Sequence, residues 1–129
     1  MGAQETALVT GAGGFIGSNL VDDQLARGRR VIAIDVHLDR LDHLRSNPAC
    51  QLYAGDVRDA AFMSRVIAGT DIAKVDIIFH LASAHLEVAK SEAYFWETNV
   101  EAVQSLLEIA RNNGVRRFVH TSSVGVYGP

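Results

Sequence analysis

The sequence predicts an α/β protein built on a doubly wound parallel sheet. Three observations carry that reading. Short β-rich runs alternate with segments of helical spacing from one end of the chain to the other. The runs are nearly continuous in apolar residues, as strands covered on both faces are. Strands joined through helices pair in parallel by crossover connections. At 129 residues the chain makes one domain, 1–129, and is too short for two.

The strands are expected at Ala7–Thr10, Val31–Val36, Gln51–Ala54, Val75–Leu81 and Arg117–Thr121. Between the first two, Ile16, Leu20, Val21 and Leu25 recur at the spacing of one helix face, with Gly28 as the stop. A weaker helix at Leu38–Ser46 closes at Asn47-Pro48. Phe62, Met63, Val66 and Ile67 mark the next, with Asp59 as N-cap and Gly69 as stop. A long helix carries Asn99, Val103, Leu106, Leu107 and Ala110 and ends at Asn113-Gly114. Most of these apolar positions are core. Function is sought in the loops at the carboxyl ends of the strands, where open α/β sheets bind ligands.

Composition narrows the classes. Apolar residues make up 48% and charged residues 21%, the balance of an ordinary globular protein. A net charge of -3 gives no basic footprint, so nucleic acid is not an expected partner. Apolar runs such as Ile77–Ala82 are strand-length, far below the roughly 20 residues that cross a bilayer, so no membrane is expected either. Cys50 is the only cysteine, which excludes an internal disulfide and a cysteine metal cluster. His37, His43 and His120 show no metal-ligand spacing, and no metal is expected. A strand begins almost at once and no secretory signal precedes it, so the expected location is the cytoplasm.

The first strand runs into Thr10-Gly11-Ala12-Gly13-Gly14-Phe15-Ile16-Gly17 and then into a helix. Glycine allows a tight turn and lets backbone approach phosphate closely. The helix start adds free N–H groups and the positive end of its dipole. Gly17 is expected to let that helix pack closely on the sheet. The spacing is Gly11, Gly14, Gly17 and no Gly-Lys-Ser/Thr follows, so this is not a P-loop. A plain strand–helix turn could look the same. Its companion Asp35 ends the second strand, 18 residues after Gly17, where an acid accepts from adenosine ribose hydroxyls. A carboxylate there repels a 2′-phosphate and so favours NAD over NADP, with Arg40 close enough in sequence to soften the preference.

These residues, with Gly55-Asp56-Val57-Arg58, His80-Leu81-Ala82-Ser83, Asn99-Val100, Thr121-Ser122-Ser123 and Val126-Tyr127-Gly128, resemble the extended short-chain dehydrogenase/reductase family, which includes NAD-dependent epimerases and dehydratases. The resemblance covers essentially the whole chain, with the motifs in order. It implies a Rossmann-like sheet of about five strands in the order 3-2-1-4-5 and NAD as cofactor. The implied cofactor-binding residues are Gly11, Gly14, Phe15, Ile16, Gly17, Asp35, Asp56, Val57, Leu81, Ala82, Ser83, Asn99 and Ser122. Asp56 and Val57 would bracket the adenine ring. Leu81, Ala82 and Ser83 would run under the nicotinamide ribose, with Ala84 and His85 just beyond. Asn99 would tie the central strands to the site. Ser123 resembles the catalytic serine, placed to hydrogen-bond a substrate oxygen that alternates between alcohol and ketone. His80 lies in an apolar strand and reads as a core histidine, with His85 better placed for the site.

The family's hydride transfer uses a tyrosine and a lysine four residues after it. Val57 stands four places after Tyr53, Thr98 four after Tyr94, and Tyr127 belongs to the Ser123 motif. The family pair would lie roughly two dozen residues past Ser123. The chain is therefore expected to be the first part of a longer protein, truncated relative to the full family domain and unable to turn over substrate alone. The parent is expected to be an epimerase, dehydratase or dehydrogenase acting on a nucleotide sugar or similar alcohol, and a homodimer. His85–Trp96 should border its substrate pocket. A sterol-type hydroxyl dehydrogenase and a non-catalytic NAD-binding module stay open.

Overall fold

A computed structural model describes residues 4–69, 74–84 and 90–128. Five parallel strands, β1 (Thr6–Thr10), β2 (Arg30–Asp35), β3 (Cys50–Ala54), β4 (Ile77–His80) and β5 (Arg117–His120), form one sheet in the order β3-β2-β1-β4-β5. The helices are α1 (Phe15–Ala26), α2 (Ala60–Ala68), α3 (Glu92–Trp96) and α4 (Ala102–Asn112), with a π turn, Glu97–Glu101, between the last two. The predicted architecture and strand order are both observed.

Register explains the unbroken apolar runs. Leu8 pairs with Ile32 and Ile78, and Ile78 with Phe118; all four face the α2/α4 side with Met63, Val66 and Leu106. The next row, Val9, Ala33 and Phe79, faces the other side with Val21, Leu41 and Leu44. Alternation along the central strands thus serves two cores, and the buried polar side chains Thr6, Thr10 and His80 sit at the ends of β1 and β4. Leu8 is wholly buried, and burying a side chain of that size contributes about 2 kcal/mol.

Helix ends follow their sequence signals. Asp59 caps α2 by accepting from the Phe62 N–H at 3.0 Å. Gly28 (φ +80°) closes α1, with its N–H on the Leu25 carbonyl and that of Arg29 on Gln24, the paired bonds of a glycine C-terminal motif. Cys50 opens β3 in the second core, and burial, then the charge of Asp22, pushes its thiol up to about 11. Near neutral pH we expect no reaction of Cys50 with a disulfide reagent such as dithionitrobenzoate until denaturant is added; reaction of the native protein would contradict the burial.

Five expectations are corrected. The strand expected over Val75–Leu81 begins only at Ile77, because the Asp76 carboxylate turns to accept the Thr6 N–H at 2.9 Å. The helix expected at Leu38–Ser46 is a six-residue 3-10 helix, Asp39–Leu44. Ile16 is exposed, because the first turn of α1 stacks on the glycine loop; a Cβ at Gly17 would meet the Gly11 carbonyl oxygen at 2.1 Å. Gly17 therefore serves contact with the loop and not with the sheet. The long helix buries Thr98, Ala102, Leu106 and Ala110, while Leu107 is exposed. The π turn shifts the buried stripe away from the Asn99–Val103–Leu107 line.

Candidate functional site

The glycine loop divides its glycines by task. At Gly11, φ is +66° and a Cβ would lie 2.8 Å from the Ala82 nitrogen; at Gly13, one would lie 1.8 Å from the His37 carbonyl oxygen. Those two, like Gly17, are small because the protein itself crowds them. Gly14 is different. Its backbone is ordinary (φ -78°, ψ 176°), and the nearest atom to a Cβ there is 3.4 Å away. It also occupies the N-cap of α1, where a serine or aspartate would stabilise the helix better. Nothing inside the fold asks for glycine at this position, whereas an anion resting on the first-turn amides of Phe15 and Ile16 would.

Asp35 ends β2 beside this loop. Its Oδ2 accepts the Gly13 N–H at 2.9 Å and its Oδ1 the Val36 N–H at 2.7 Å. Each oxygen keeps a lone pair for a further donor. The carboxylate is thus oriented by backbone before any ligand arrives.

Across β1, the chain leaving β4 is held at two points. The Thr10 hydroxyl oxygen lies 3.1 Å from the Leu81 nitrogen, 3.2 Å from the Ala82 nitrogen and 2.7 Å from His80 Nδ1. Asn99, in the π turn, makes a two-way bond with Ala84: Oδ1 accepts its N–H at 2.8 Å and Nδ2 donates to its carbonyl at 2.9 Å. His80 is 1% exposed, and burial, then the neighbouring His120, lowers its pKa to about 4. The unfolded chain takes up that proton near pH 6.5 and the folded one only near 4, so the folded state is disfavoured as pH falls between them. We expect a loss of about 3 kcal/mol across that window, and none above it. A melting-temperature profile in which His80→Asn falls as steeply as wild type between those values would refute this.

On the β3 side, Asp56 and Val57 follow Gly55. The Arg58 guanidinium bonds both Asp56 oxygens and, with a backbone bond from the same residue, holds that carboxyl below its usual range. Arg58 also lies 4.7 Å from the Tyr94 ring centroid and reaches Glu97 at 3.4 Å, joining the β3–α2 loop to the long helix. Being exposed, these contacts add little stability; they orient Asp56.

Two clefts result. One of about 280 Å³ is lined by Gly11, Gly14, Asp35, Asp56, Val57, Tyr94 and Thr98 among others. The other, about 450 Å³, is lined by Ala84, Asn99, Val103 and His120–Ser123. Leu81, Ala82 and Ser83 line both and form the wall between them. Ser123 Oγ accepts the Gly125 N–H at 3.1 Å, which leaves its hydroxyl hydrogen free to donate.

A model of the NAD dependent epimerase/dehydratase family matches residues 7–129. The chain belongs to that family. Among relatives of this chain, a UDP-glucose 4-epimerase from Mycolicibacterium smegmatis is 41% identical, over 94% of this chain and 40% of its own length. A dTDP-glucose 4,6-dehydratase from Streptomyces antibioticus is 35% identical, over 94% and 38%. The UDP-glucose 4-epimerase of Bifidobacterium longum, solved in complex with NAD+ and UDP, superposes with a TM-score of 0.77 at 32% identity, over 95% of this chain and 38% of that one. The chain thus spans about 40% of the length of the relatives it matches.

Of the residues singled out in the sequence, Gly11, Gly14, Asp35, Asp56, Val57, Leu81, Ala82 and Ser83 meet in the first cleft, and Asn99, Ser122 and Ser123 in the second. Phe15 and Ile16 start α1 with their side chains in solvent. His85 lies outside the described residues, as does the first part of His85–Trp96. Three further contributors to this geometry carried no role of their own in the sequence motifs, although Thr10 and Gly13 stand within the glycine loop. Gly13 orients Asp35 through its amide, Thr10 carries the junction with the wall, and Thr98, which lines the first cleft, buries a hydroxyl that has no partner among the described residues. Only Thr98 had a usable signal: a small polar residue four before Ala102 on the buried stripe.

Proposed function

We propose that this epimerase/dehydratase chain holds NAD across its two clefts, as the cofactor-binding part of an enzyme that epimerises or dehydrates a nucleotide sugar. Gly14 carries the reading: a glycine the fold does not need, at a helix start whose free amides suit a pyrophosphate. Phe15 and Ile16 amides would bind that group, Asp35 the adenosine ribose, and Asp56 and Val57 the adenine. Leu81, Ala82, Ser83 and Ser122 would border the second nucleotide. The sizes of the clefts fit this division, each within or near the range of small-molecule sites.

Bound NAD would supply a hydride acceptor and donor for oxidising a substrate alcohol and reducing the ketone formed. Ser123, with its hydroxyl hydrogen free, would hold the substrate oxygen in either state. The names of the relatives, epimerases of UDP-glucose and dehydratases of dTDP-glucose, support a nucleotide sugar as substrate. Proton transfer by a tyrosine–lysine pair falls outside these residues, so the chain alone is proposed to bind cofactor without turnover.

The protein carrying this chain should melt higher with millimolar NAD, by an increment that grows with the logarithm of concentration, and less so with NADP. No shift with NAD would end the proposal.

A further inference from the structure

His80 is buried, and the contacts proposed above leave it unused. It stands beside Thr10 at the ends of β4 and β1. Three nitrogen atoms surround the Thr10 hydroxyl oxygen: His80 Nδ1 at 2.7 Å, Leu81 N at 3.1 Å and Ala82 N at 3.2 Å. The two amides can only donate. A hydroxyl has two lone pairs and one proton. With both lone pairs taken, its proton must go to Nδ1, which is therefore bare. His80 is then neutral, with its own proton on Nε2. The other tautomer would press three donors onto one oxygen and strand the hydroxyl proton. Either tautomer leaves Nε2 buried without a partner among the described residues, so that atom does not alter the choice.

We propose that His80 is a positioning residue for the dinucleotide site. By accepting the Thr10 hydroxyl proton it turns both lone pairs of that oxygen onto Leu81 and Ala82, and so sets the turn that forms the wall between the clefts. Successive N–H groups of an extended strand point to opposite sides, so two consecutive amides reach one oxygen only where the strand has ended. β4 ends at His80. Gly11 backs onto the same turn, with room for no Cβ against Ala82. The rings of His120 and Phe118 lie beside the imidazole, at centroid distances of 5.7 and 6.1 Å, and confine it to this orientation. The geometry makes His80 the part of the family's His-Leu-Ala-Ser motif that shapes the site without touching the ligand. The functional half of this proposal rests on the reading that the clefts take the two halves of NAD.

Long-range ¹H–¹⁵N correlations of the histidines at neutral pH, on the protein carrying this chain, test the tautomer directly. The expected result is His80 neutral with Nε2 protonated and Nδ1 bare; a protonated Nδ1 overturns the proposal. NAD dissociation constants test the consequence. Thr10→Ser should bind as wild type, while Thr10→Val and His80→Leu should lose about tenfold, the size of a buried hydrogen bond. His80→Asn, whose side-chain oxygen can stand near the place of Nδ1, should recover most of that loss. Thr10→Val binding as tightly as wild type overturns the positioning role. Wild-type protein that binds no NAD removes the reading of the clefts instead, and the tautomer result is unaffected by it.

Discussion

Gly14→Val is expected to weaken NAD binding at least a hundredfold, about 3 kcal/mol, while the protein stays folded. The backbone at this position, φ -78° and ψ 176°, suits any residue, and the nearest protein atom to a new Cβ is 3.4 Å away. Valine is a poorer N-cap than glycine, which costs about 0.5–1 kcal/mol of stability and a few degrees of melting temperature. Its methyl groups would occupy the space a pyrophosphate needs above the first turn of α1. Gly17→Ala is the instructive control. There a Cβ falls 2.1 Å from the Gly11 carbonyl oxygen and 2.9 Å from the Ala12 Cα, so backbone must move and both stability and binding fall. Isothermal titration with NAD beside a melting curve separates the two cases. Normal NAD affinity in Gly14→Val would take the pyrophosphate away from this loop.

Asp35→Ala should lose roughly thirtyfold in NAD affinity, about 2 kcal/mol for hydrogen bonds to a charged acceptor, and should narrow the preference over NADP. The substitution also frees the Gly13 and Val36 amides that the carboxylate now holds. Disorder from that release weakens both cofactors alike. Loss of the negative charge acts differently, because it removes repulsion felt only by a 2′-phosphate. The ratio of the two dissociation constants is therefore the deciding quantity. A variant that binds both cofactors more weakly in unchanged ratio would leave Asp35 a loop-ordering residue and nothing more.

The centre of the sheet was legible because β1, β2 and β4 are covered on both faces, which writes an apolar run at each, whereas the edge strand β5 is mostly exposed; strand order came from the family resemblance. Of the candidate site, Asp35, Asp56 and Asn99 could be picked out by side-chain type and do line the two clefts, where their roles toward a ligand are the proposal. The site was opaque where backbone groups do the work. The amide of Gly13 holds Asp35 as any amide could, so no residue type announces it. The exposure of Ile16 was hidden for a related reason, since period-3.6 patterning assumes that a helix lies on the sheet along its whole length. The first turn of α1 lies on a loop instead. The stripe on the long helix was misplaced because a constant period was carried across Glu97–Glu101.

That π turn bears on how the protein can change. Ala102 donates to the Glu97 carbonyl five residues back, so this turn holds one residue more than an α-helix would. The extra residue is absorbed in this turn, so the helix before it stays in phase with α4; winding the same residues as regular α-helix would turn everything before them by about 100° relative to α4. Asn99 would leave Ala84, and Tyr94 would leave Arg58, in a single event. Substitutions can tune these contacts one at a time, but the winding of this turn governs them together. The five residues act as a reading frame for the cleft, kept by the one turn that is wound wider than the rest.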